Sequence, residues 1–178
     1  MSNKVDELES IIPALLPCRA DLVASPDWPS IERDLGTALP HDYRCLADRY
    51  RSTLRLDNFI GIALPRAGKE DLFVHNVRDQ LANLAMFAED GDAGGYSAFP
   101  VPDGLLPWGE SIEGDTFYWH TAGNPDEWSV VVNTSYDGWY PYPESAVGFL
   151  VRFFGRRAPV KGFPPNLPRN PVNVVAIP

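Results

Sequence analysis

Residues 105–140 read LLPWGESIEGDTFYWHTAGNPDEWSVVVNTSYDGWY, and this stretch decides the fold. It contains four short apolar or alternating runs separated by turn residues, a pattern that indicates β-strands. Because the connections between the runs are short, we expect neighbouring antiparallel strands that form a meander. The four expected strands are Leu105 to Trp108, Thr116 to His120, Trp128 to Asn133 and Gly138 to Tyr140.

Three helices are expected before residue 51. Pro13 should kink or end the first of them. Asp27 can cap the second, and Gly36 can adopt the left-handed conformation that terminates it. Pro40 should open the third. The apolar positions that recur at helical spacing are Val5, Leu8, Ile12 and Leu15 in the first helix, Trp28, Ile31 and Leu35 in the second, and Tyr43, Leu46 and Tyr50 in the third.

The region between these helices and the meander predicts strands and then a longer helix. Leu54 to Leu64 is rich in Leu, Ile and Phe and should form one or two short strands. Lys69 to Ala88 keeps helical spacing over four turns, and Glu70 and Asp71 lie in the first turn, where the helix dipole favours anions. This helix should end in the glycine-rich loop of residues 89–95.

The chain after the meander predicts one helix and an extended tail. Pro143 should start the helix, whose apolar face would carry Val147, Leu150, Val151 and Phe154. Ala158 to Pro178 contains too many prolines for a helix or a central strand. The apolar residues near its end could form an edge strand, either on this sheet or on the sheet of a partner: Val172, Val174, Val175 and Ile177.

These elements predict a single α+β domain with a mostly antiparallel central sheet of about five or six strands, backed by several helices and followed by a Pro-rich tail. Its expected parts are an N-terminal helical extension over residues 1–26, the α+β domain over residues 27–157 and the tail over residues 158–178. A length of 178 residues and a hydrophobic content of 44% suit one packed core.

Cysteine content and the N-terminal sequence bear on the expected location. Cys18 and Cys45 are too few for a disulfide framework and lack C-x-x-C spacing, so we expect reduced thiols, with a single bridge as the alternative. Residues 1–18 alternate charged and apolar positions instead of showing a secretory pattern. We therefore expect a protein of the cytoplasm.

Charge is distributed unevenly along the chain. The formal net charge is -9 at pH 7, and residues 79–151 contain twelve carboxylates without a Lys or Arg. A field of one sign repels the phosphates of nucleic acid and steers basic proteins towards it. We expect a protein partner and no direct nucleic-acid or membrane ligand, although an acidic surface also serves solubility alone. The twelve are Asp79, Glu89, Asp90, Asp92, Asp103, Glu110, Glu113, Asp115, Asp126, Glu127, Asp137 and Glu144.

Candidate catalytic and metal-binding residues do not form a recognisable set. His41, His75 and His120 are scattered, without the paired spacing that binds a metal from one element. The loop of residues 89–95 lacks the lysine of a phosphate-binding loop, and its carboxylates do not have the spacing of an EF-hand calcium-binding loop. We expect no cofactor, no metal ion and no enzymatic activity.

One enzymatic alternative stays open. Glu110 and Asp115 are close together in the sequence and could act as a general acid and a general base, as paired carboxylates do in hydrolases. A hydrolase that uses these carboxylates or His120 would lose its turnover on a single conservative change. The carboxylates lie in an expected turn, however, where such groups usually serve only to solvate the loop.

Aromatic residues occupy both faces of the expected meander. Strand alternation places Phe117 and Trp119 on one face and Tyr118 and His120 on the other. One face should pack on the helices. The other face either exposes Tyr118 and His120 beside carboxylates, a mixture that suits protein recognition, or is covered by further helices or by the tail.

The order of several motifs resembles the SUKH superfamily, whose best-known members are the Smi/Knr-like proteins. The resemblance covers about Asp27 to Phe154 and pairs the pattern W..IE..LG..LP.DY with a later LLP.G, GD and W in that order. The long helix from Lys69 to Ala88 departs from shorter family versions. The motifs are Trp28-Pro29-Ser30-Ile31-Glu32, Leu35-Gly36, Leu39-Pro40-His41-Asp42-Tyr43-Arg44, Leu105-Leu106-Pro107-Trp108-Gly109, Gly114-Asp115, Tyr118-Trp119 and Trp128-Ser129-Val130-Val131.

The resemblance implies an α+β fold with a central, mostly antiparallel sheet backed by helices. For many bacterial members it also implies a role as immunity proteins that bind and neutralise polymorphic toxins, often nucleases. Other members resemble regulatory or scaffold proteins. An acidic inhibitor suits a nuclease toxin, because such a toxin is usually basic in order to hold phosphates.

We therefore expect a non-enzymatic immunity protein that binds a cognate, basic, nuclease-type toxin, with a regulatory or scaffold protein as the alternative. The binding surface should be formed by the acidic, aromatic-bearing loops of residues 110–115 and 126–137. The expected partner-binding residues are Glu110, Glu113, Asp115, Tyr118, His120, Asp126, Glu127 and Asp137.

Overall fold

A seven-stranded sheet forms the centre of the computed structural model, which describes residues 3–20, 22–136 and 138–177. The strands are β1 (Thr53–Leu56), β2 (Ile60–Ile62), β3 (Leu105–Ser111), β4 (Thr116–His120), β5 (Ser129–Thr134), β6 (Gly138–Tyr142) and β7 (Val174–Ile177). Neighbouring strands are all antiparallel, in the order β6-β5-β4-β3-β2-β1-β7. The predicted α+β class and meander are confirmed, and the sheet has one strand more than the upper predicted number.

Helices account for most of the remaining regular structure. The α-helices of the described residues are α1 (Lys4–Ile11), α2 (Trp28–Leu35), α3 (His41–Tyr50), α4 (Glu70–Glu89) and α5 (Ala146–Phe154). Helix α1 ends before Pro13, as predicted, and a short 3-10 helix, Pro13–Cys18, follows it. A second 3-10 helix, Pro125–Glu127, lies between β4 and β5.

Local side-chain chemistry sets the ends of the helices. The carboxylate of Asp27 accepts a hydrogen bond from the Ser30 backbone nitrogen at 3.1 Å, and Gly36 closes α2 with a φ of 80°, so both predictions for this helix are confirmed. The prediction that Pro143 starts the last helix is wrong. Helix α5 begins at Ala146, because the Ser145 hydroxyl accepts from the Gly148 nitrogen at 3.2 Å and caps it there.

One face of the sheet packs on α1, α3 and α5 around a cluster of buried rings. Trp119 of β4 meets Tyr43 of α3 edge-on, with ring centroids 4.8 Å apart. Trp108 of β3 meets Phe149 of α5 at 6.3 Å. Aromatic pairs of this geometry add to the energy of burial, so the rings fix the helices against the strands that carry the acidic turns.

The second face of β3 to β6 is covered by α4 and by the loop that follows it. Leu84 of α4 packs against Leu105, Tyr118 and Val131 of three successive strands. The Trp139 ring stacks on Tyr118 with centroids 5.8 Å apart. The sequence left two alternatives for this face, and the fold adopts the one in which a further helix covers it.

The Pro-rich tail is bound to the domain. Strand β7 pairs with β1, so the predicted edge strand lies on this sheet and supplies the additional strand. The Phe163 ring packs against Phe59 at 5.0 Å and against Phe153 at 5.2 Å. Asp57, which is 2% exposed, accepts from the backbone nitrogens of Arg169 at 2.7 Å and Asn173 at 3.0 Å.

Helix α1 is fixed to α3 by a buried carboxylate. Glu9 is 5% exposed, and it accepts hydrogen bonds from the guanidinium of Arg19 at 2.6 and 2.8 Å. It also accepts from Arg49 at 2.8 Å and from the hydroxyl of Tyr50 at 2.6 Å. Four charge-assisted hydrogen bonds therefore offset the cost of burying this charge.

Cys18 and Cys45 are both free thiols and are not joined by a disulfide. The sulfur of Cys45 is 3.4 Å from Nε2 of His41, one helical turn earlier on α3. Among the helices of the described residues, none has both the length and the apolar composition needed to traverse a bilayer.

Candidate partner-binding surface

The predicted acidic partner-binding residues that the structure describes lie at two opposite ends of the sheet. Successive connections of an antiparallel meander alternate between its two ends. The β3–β4 and β5–β6 turns therefore share one end, and the β4–β5 connection lies at the other. The first end carries Glu110, Glu113 and Asp115, and the second carries Asp126 and Glu127. Asp137 lies outside the described residues.

Asp115 joins the two turns of the first end from the inside. It is 2% exposed, and its Oδ1 accepts a hydrogen bond from the Ser135 backbone nitrogen at 3.1 Å. Its Oδ2 accepts from the Ser111 hydroxyl at 2.6 Å. The Ser135 hydroxyl also donates to the Glu113 carbonyl at 2.6 Å. Asp115 therefore holds the two turns together from a buried position, and its role in partner binding stays a prediction.

Tyr118 and His120 belong to the covered face of the meander. Tyr118 is 4% exposed beneath α4, and burial raises the pKa of its hydroxyl. His120 is half-buried, and its ring meets Tyr96 edge-on at 5.9 Å. Tyr118 is therefore covered from within the chain by α4, and its role in partner binding stays a prediction.

Asp126 and Glu127, at the second end, hydrogen-bond to backbone groups. Oδ1 of Asp126 accepts from the His41 backbone nitrogen at 2.6 Å. Asp126 thereby caps α3 from another part of the chain. The residue at the N-cap, Pro40, has no side-chain acceptor that could do so. Oε2 of Glu127 accepts from the Asn124 nitrogen at 3.2 Å and completes a capping box. Both carboxylates are exposed, and both stabilise local structure.

Most of the acidic side chains of residues 79–151 face solvent. Nine of the twelve are exposed: Asp79, Glu89, Asp90, Asp92, Asp103, Glu110, Glu113, Asp126 and Glu127. Of these nine, Asp79 pairs with His75 at 3.3 Å. Within the part of the chain that the structure describes, the other eight form no ion pair with Lys or Arg. No Lys or Arg of the described residues therefore lies within ion-pair distance of these eight carboxylates.

Two large apolar side chains project from the first end of the sheet. Ile112, in the β3–β4 turn, is 63% exposed, and Tyr136, in the β5–β6 turn, is 84% exposed. Sequence reasoning did not single them out. The available signal was the occurrence of a large apolar residue inside a turn that is otherwise polar, where packing gives no reason for it.

A groove of about 460 Å³ lies beside this end, between α4 and the sheet. Its lining includes Gly61 and Gly109, and a Cβ at residue 109 would lie 2.7 Å from the Gly61 carbonyl oxygen, so the strands approach closely there. Its charged lining residues are Asp79 on α4, Glu110 on β3 and Arg55 on β1. Ile112 forms part of its rim.

Two observations in the described residues concern metal binding and nucleophilic side chains. They contain no group of three or more His, Cys, Asp or Glu side chains placed to hold a metal ion. Lys4 and Ser145 form a lysine–serine contact, with Nζ donating to the hydroxyl at 2.7 Å. That hydroxyl donates to Asp42 at 2.6 Å and accepts from the Gly148 nitrogen, so it is used as the cap of α5.

Comparison with protein families gives a match over most of the chain. The family model SUKH_6, described as SMI1-KNR4 cell-wall, matches residues 26–149. The matched region runs from α2 into the first turn of α5 and includes β1 to β6, whereas α1 and the tail lie outside it. The comparisons with curated proteins and with solved structures gave no match.

Proposed function

The chain belongs to the SMI1-KNR4 family SUKH_6, and on that premise we propose that it is a non-enzymatic immunity protein that binds and neutralises a cognate toxin. The proposed toxin is basic and of the nuclease type, and the proposed place of action is the cytoplasm. The SUKH superfamily includes immunity proteins, which supports the class of function. The uncompensated carboxylates support the choice of a basic partner.

The observation that carries this proposal is the set of eight exposed carboxylates that have no ion-pair partner in the described residues. Such a surface attracts a protein that is itself positive because it binds phosphates. Neutralisation then requires only that the inhibitor covers the toxin's basic substrate-binding surface. No bond is made or broken in this mechanism.

Co-expression with the toxin encoded beside this chain's gene tests the proposal. We expect cells that make both proteins to grow, and cells that make only the toxin to stop growing. The purified pair should co-elute in size-exclusion chromatography, and the association rate should fall by about 10-fold or more as salt is raised. A toxin that neither binds nor is neutralised would rule this function out.

A variant at His120 separates binding from catalysis. His120 is one candidate of the hydrolase alternative, beside Glu110 and Asp115, and lies on the face that α4 covers. We expect His120→Gln to protect cells as well as the native protein does. Loss of protection by a variant that still binds the toxin would instead support an enzyme.

The second candidate function is a regulatory or scaffold protein that docks on a cellular protein. The description of the matched family, which names the cell wall, favours it. It would use the same acidic surface and differ only in the partner. Two results together would favour this candidate. The protein would leave the toxin active, and deletion of its gene would change the sensitivity of the cell to wall-damaging agents.

A further inference from the structure

We propose that the docking surface is the end of the sheet where the β3–β4 and β5–β6 turns meet, and that its occupant is a lysine- and arginine-bearing protein surface. We call this end the twin-turn tip and define it by Glu110, Ile112, Glu113 and Tyr136. The proposal rests on the proposed function and locates it on the molecule.

The twin-turn tip has the anchors that a protein interface needs. Ile112 and Tyr136 are 63% and 84% exposed, although burial of both side chains would be favourable. Tyrosine is enriched among the residues that dominate binding energy, because it offers a large contact area with few rotatable bonds. An aliphatic and an aromatic anchor on two adjacent turns can enter one partner surface together.

The anchors are held in place before binding. Buried Asp115 links the β3–β4 turn to the Ser135 nitrogen at 3.1 Å, and the Ser135 hydroxyl donates to the Glu113 carbonyl at 2.6 Å. Ile112 is fixed further by its backbone nitrogen, which donates to the Phe59 carbonyl at 3.0 Å. Surfaces that are ordered in the free protein lose less conformational entropy on binding, so this linkage raises affinity.

Charge complementarity selects the kind of partner. Glu110 and Glu113 flank Ile112 on the β3–β4 hairpin, and both are exposed without an ion-pair partner among the described residues. Apolar anchors surrounded by unpaired carboxylates match a surface on which Lys and Arg surround an apolar pocket. An acidic partner would place like charges together and be rejected.

The groove beside the tip extends this match. Asp79 and Glu110 line it from α4 and from β3, and Gly61 and Gly109 contribute no side chains to it. A long cationic side chain of the partner can therefore enter beside Ile112 and meet two carboxylates. Arg55 of β1 also lines this groove.

The two other acidic regions fit less well. At the opposite end of the sheet, Asp126 caps α3 through the His41 nitrogen at 2.6 Å, so contact with a partner would compete with folding. At the end of α4, Glu89 and Asp90 are exposed, but this region lies on a single helix end and lacks the two-turn linkage. It provides a matched control surface of equal charge.

Measured affinities of variants for the toxin encoded beside this chain's gene test the proposal. We expect Tyr136→Ala to weaken binding by about 30-fold and Ile112→Ser by about 10-fold, mainly through faster dissociation. Both side chains are exposed, so thermal unfolding should stay close to that of the native protein. If a variant binds as tightly as the native protein, the side chain that it replaces is not part of the docking surface.

A charge-matched pair of double variants separates contact from general attraction. Glu110→Gln with Glu113→Gln removes two negative charges at the tip, and Glu89→Gln with Asp90→Asn removes two at the end of α4. We expect about 10-fold weaker binding from the first pair, and an effect of about 3-fold or less, confined to the association rate, from the second.

Each other outcome overturns the proposal. If the two double variants weaken binding equally, only the overall electrostatic field of the protein matters. If the α4 double variant weakens binding more, the docking surface lies at the end of α4 and not at the tip. If the native protein binds and neutralises the toxin while all tip variants do so equally well, the tip is wrong and the proposed function stands. If the native protein does not bind, the two fail together.

Discussion

Oδ1 of Asp115 lies 3.1 Å from the backbone nitrogen of Ser135, twenty residues later in the chain. This hydrogen bond joins the β3–β4 and β5–β6 turns of the twin-turn tip. The carboxylate is buried and also accepts from Ser111 at 2.6 Å. A buried carboxylate that is fully hydrogen-bonded orders the groups around it, so one residue fixes the geometry of both turns.

Replacing Asp115 by Ala should therefore destabilise the protein strongly. The change leaves the Ser135 amide and the Ser111 hydroxyl without their charged acceptor, and we expect the free energy of unfolding to fall by about 2 to 4 kcal/mol. Urea denaturation measures the loss. The control is Ser135→Ala, which keeps the backbone donor and should cost no more than about 1.5 kcal/mol. Equal losses in the two variants would contradict the assigned role of Asp115.

Contacts that are local in sequence could be predicted from the sequence. The cap at Asp27 and the termination at Gly36 depend on groups within one or two turns of the chain, so residue type and spacing were sufficient. The meander followed from period-two alternation and turn residues for the same reason. The start of α5 was misplaced because Pro143 and Ser145 are both good N-terminal residues, and the hydroxyl cap decided between them.

Contacts between distant parts of the chain could not be predicted in this way. Asp126 has the appearance of a free surface carboxylate, yet it caps a helix whose first residue, His41, lies 85 positions earlier. Alternation placed Tyr118 on the second face, but it does not show which element covers that face. The packing of α4 across β3 to β5 decides this, and it removes Tyr118 from the surface.

Acid should destabilise the protein through Glu9. Burial acts to raise the pKa of this carboxyl, but hydrogen bonds from Arg19 and Tyr50 and the charge of Arg49 lower it from 4.5 to about 2. Because the folded-state pKa is the lower one, the stabilisation is complete above pH 4.5 and is lost as the pH falls towards 2. It amounts to up to about 3 kcal/mol.

Chemical denaturation at several pH values measures this contribution. The native protein should lose stability between pH 4.5 and 2, and Glu9→Gln should lose less over the same interval. At neutral pH, Glu9→Gln should be less stable than the native protein, because Arg19 and Arg49 then lose their buried partner. Parallel pH profiles would show that other carboxyls control the acid transition.

Asp57 should hold the tail on the domain. Its carboxylate accepts from the backbone nitrogens of Arg169 at 2.7 Å and Asn173 at 3.0 Å, and its φ of 57° lies in the left-handed region. Asp57→Ala removes both acceptors and places a Cβ-bearing residue without a polar side chain at that φ, so it should cost about 2 to 3 kcal/mol. Asp57→Asn, which tolerates this conformation and keeps one acceptor, should cost less.

Amide hydrogen exchange distinguishes release of the tail from global unfolding. In Asp57→Ala, exchange should accelerate in Val174–Ile177, which pair with β1, while the strands of the meander keep their protection. Equal acceleration in all strands would mean that Asp57 supports the whole domain and not the tail alone.

Trp28 should contribute strongly to stability. The side chain is 6% exposed, its Nε1 donates to Asp48 at 3.0 Å, and the Arg44 guanidinium lies 5.2 Å from the ring centroid. Trp28→Ala removes a large buried ring between α2 and α3 and should lower the free energy of unfolding by about 3 to 5 kcal/mol.

A variant of the acceptor separates packing from hydrogen bonding. Asp48→Ala keeps the Trp28 ring in place and removes only the acceptor of its indole N–H, so the loss should be about 1 to 3 kcal/mol. The double variant should cost less than the sum of the two single changes, because the hydrogen bond is counted in both. Urea denaturation of the four proteins measures this coupling, and strict additivity would mean that the indole–carboxylate contact does not contribute to stability.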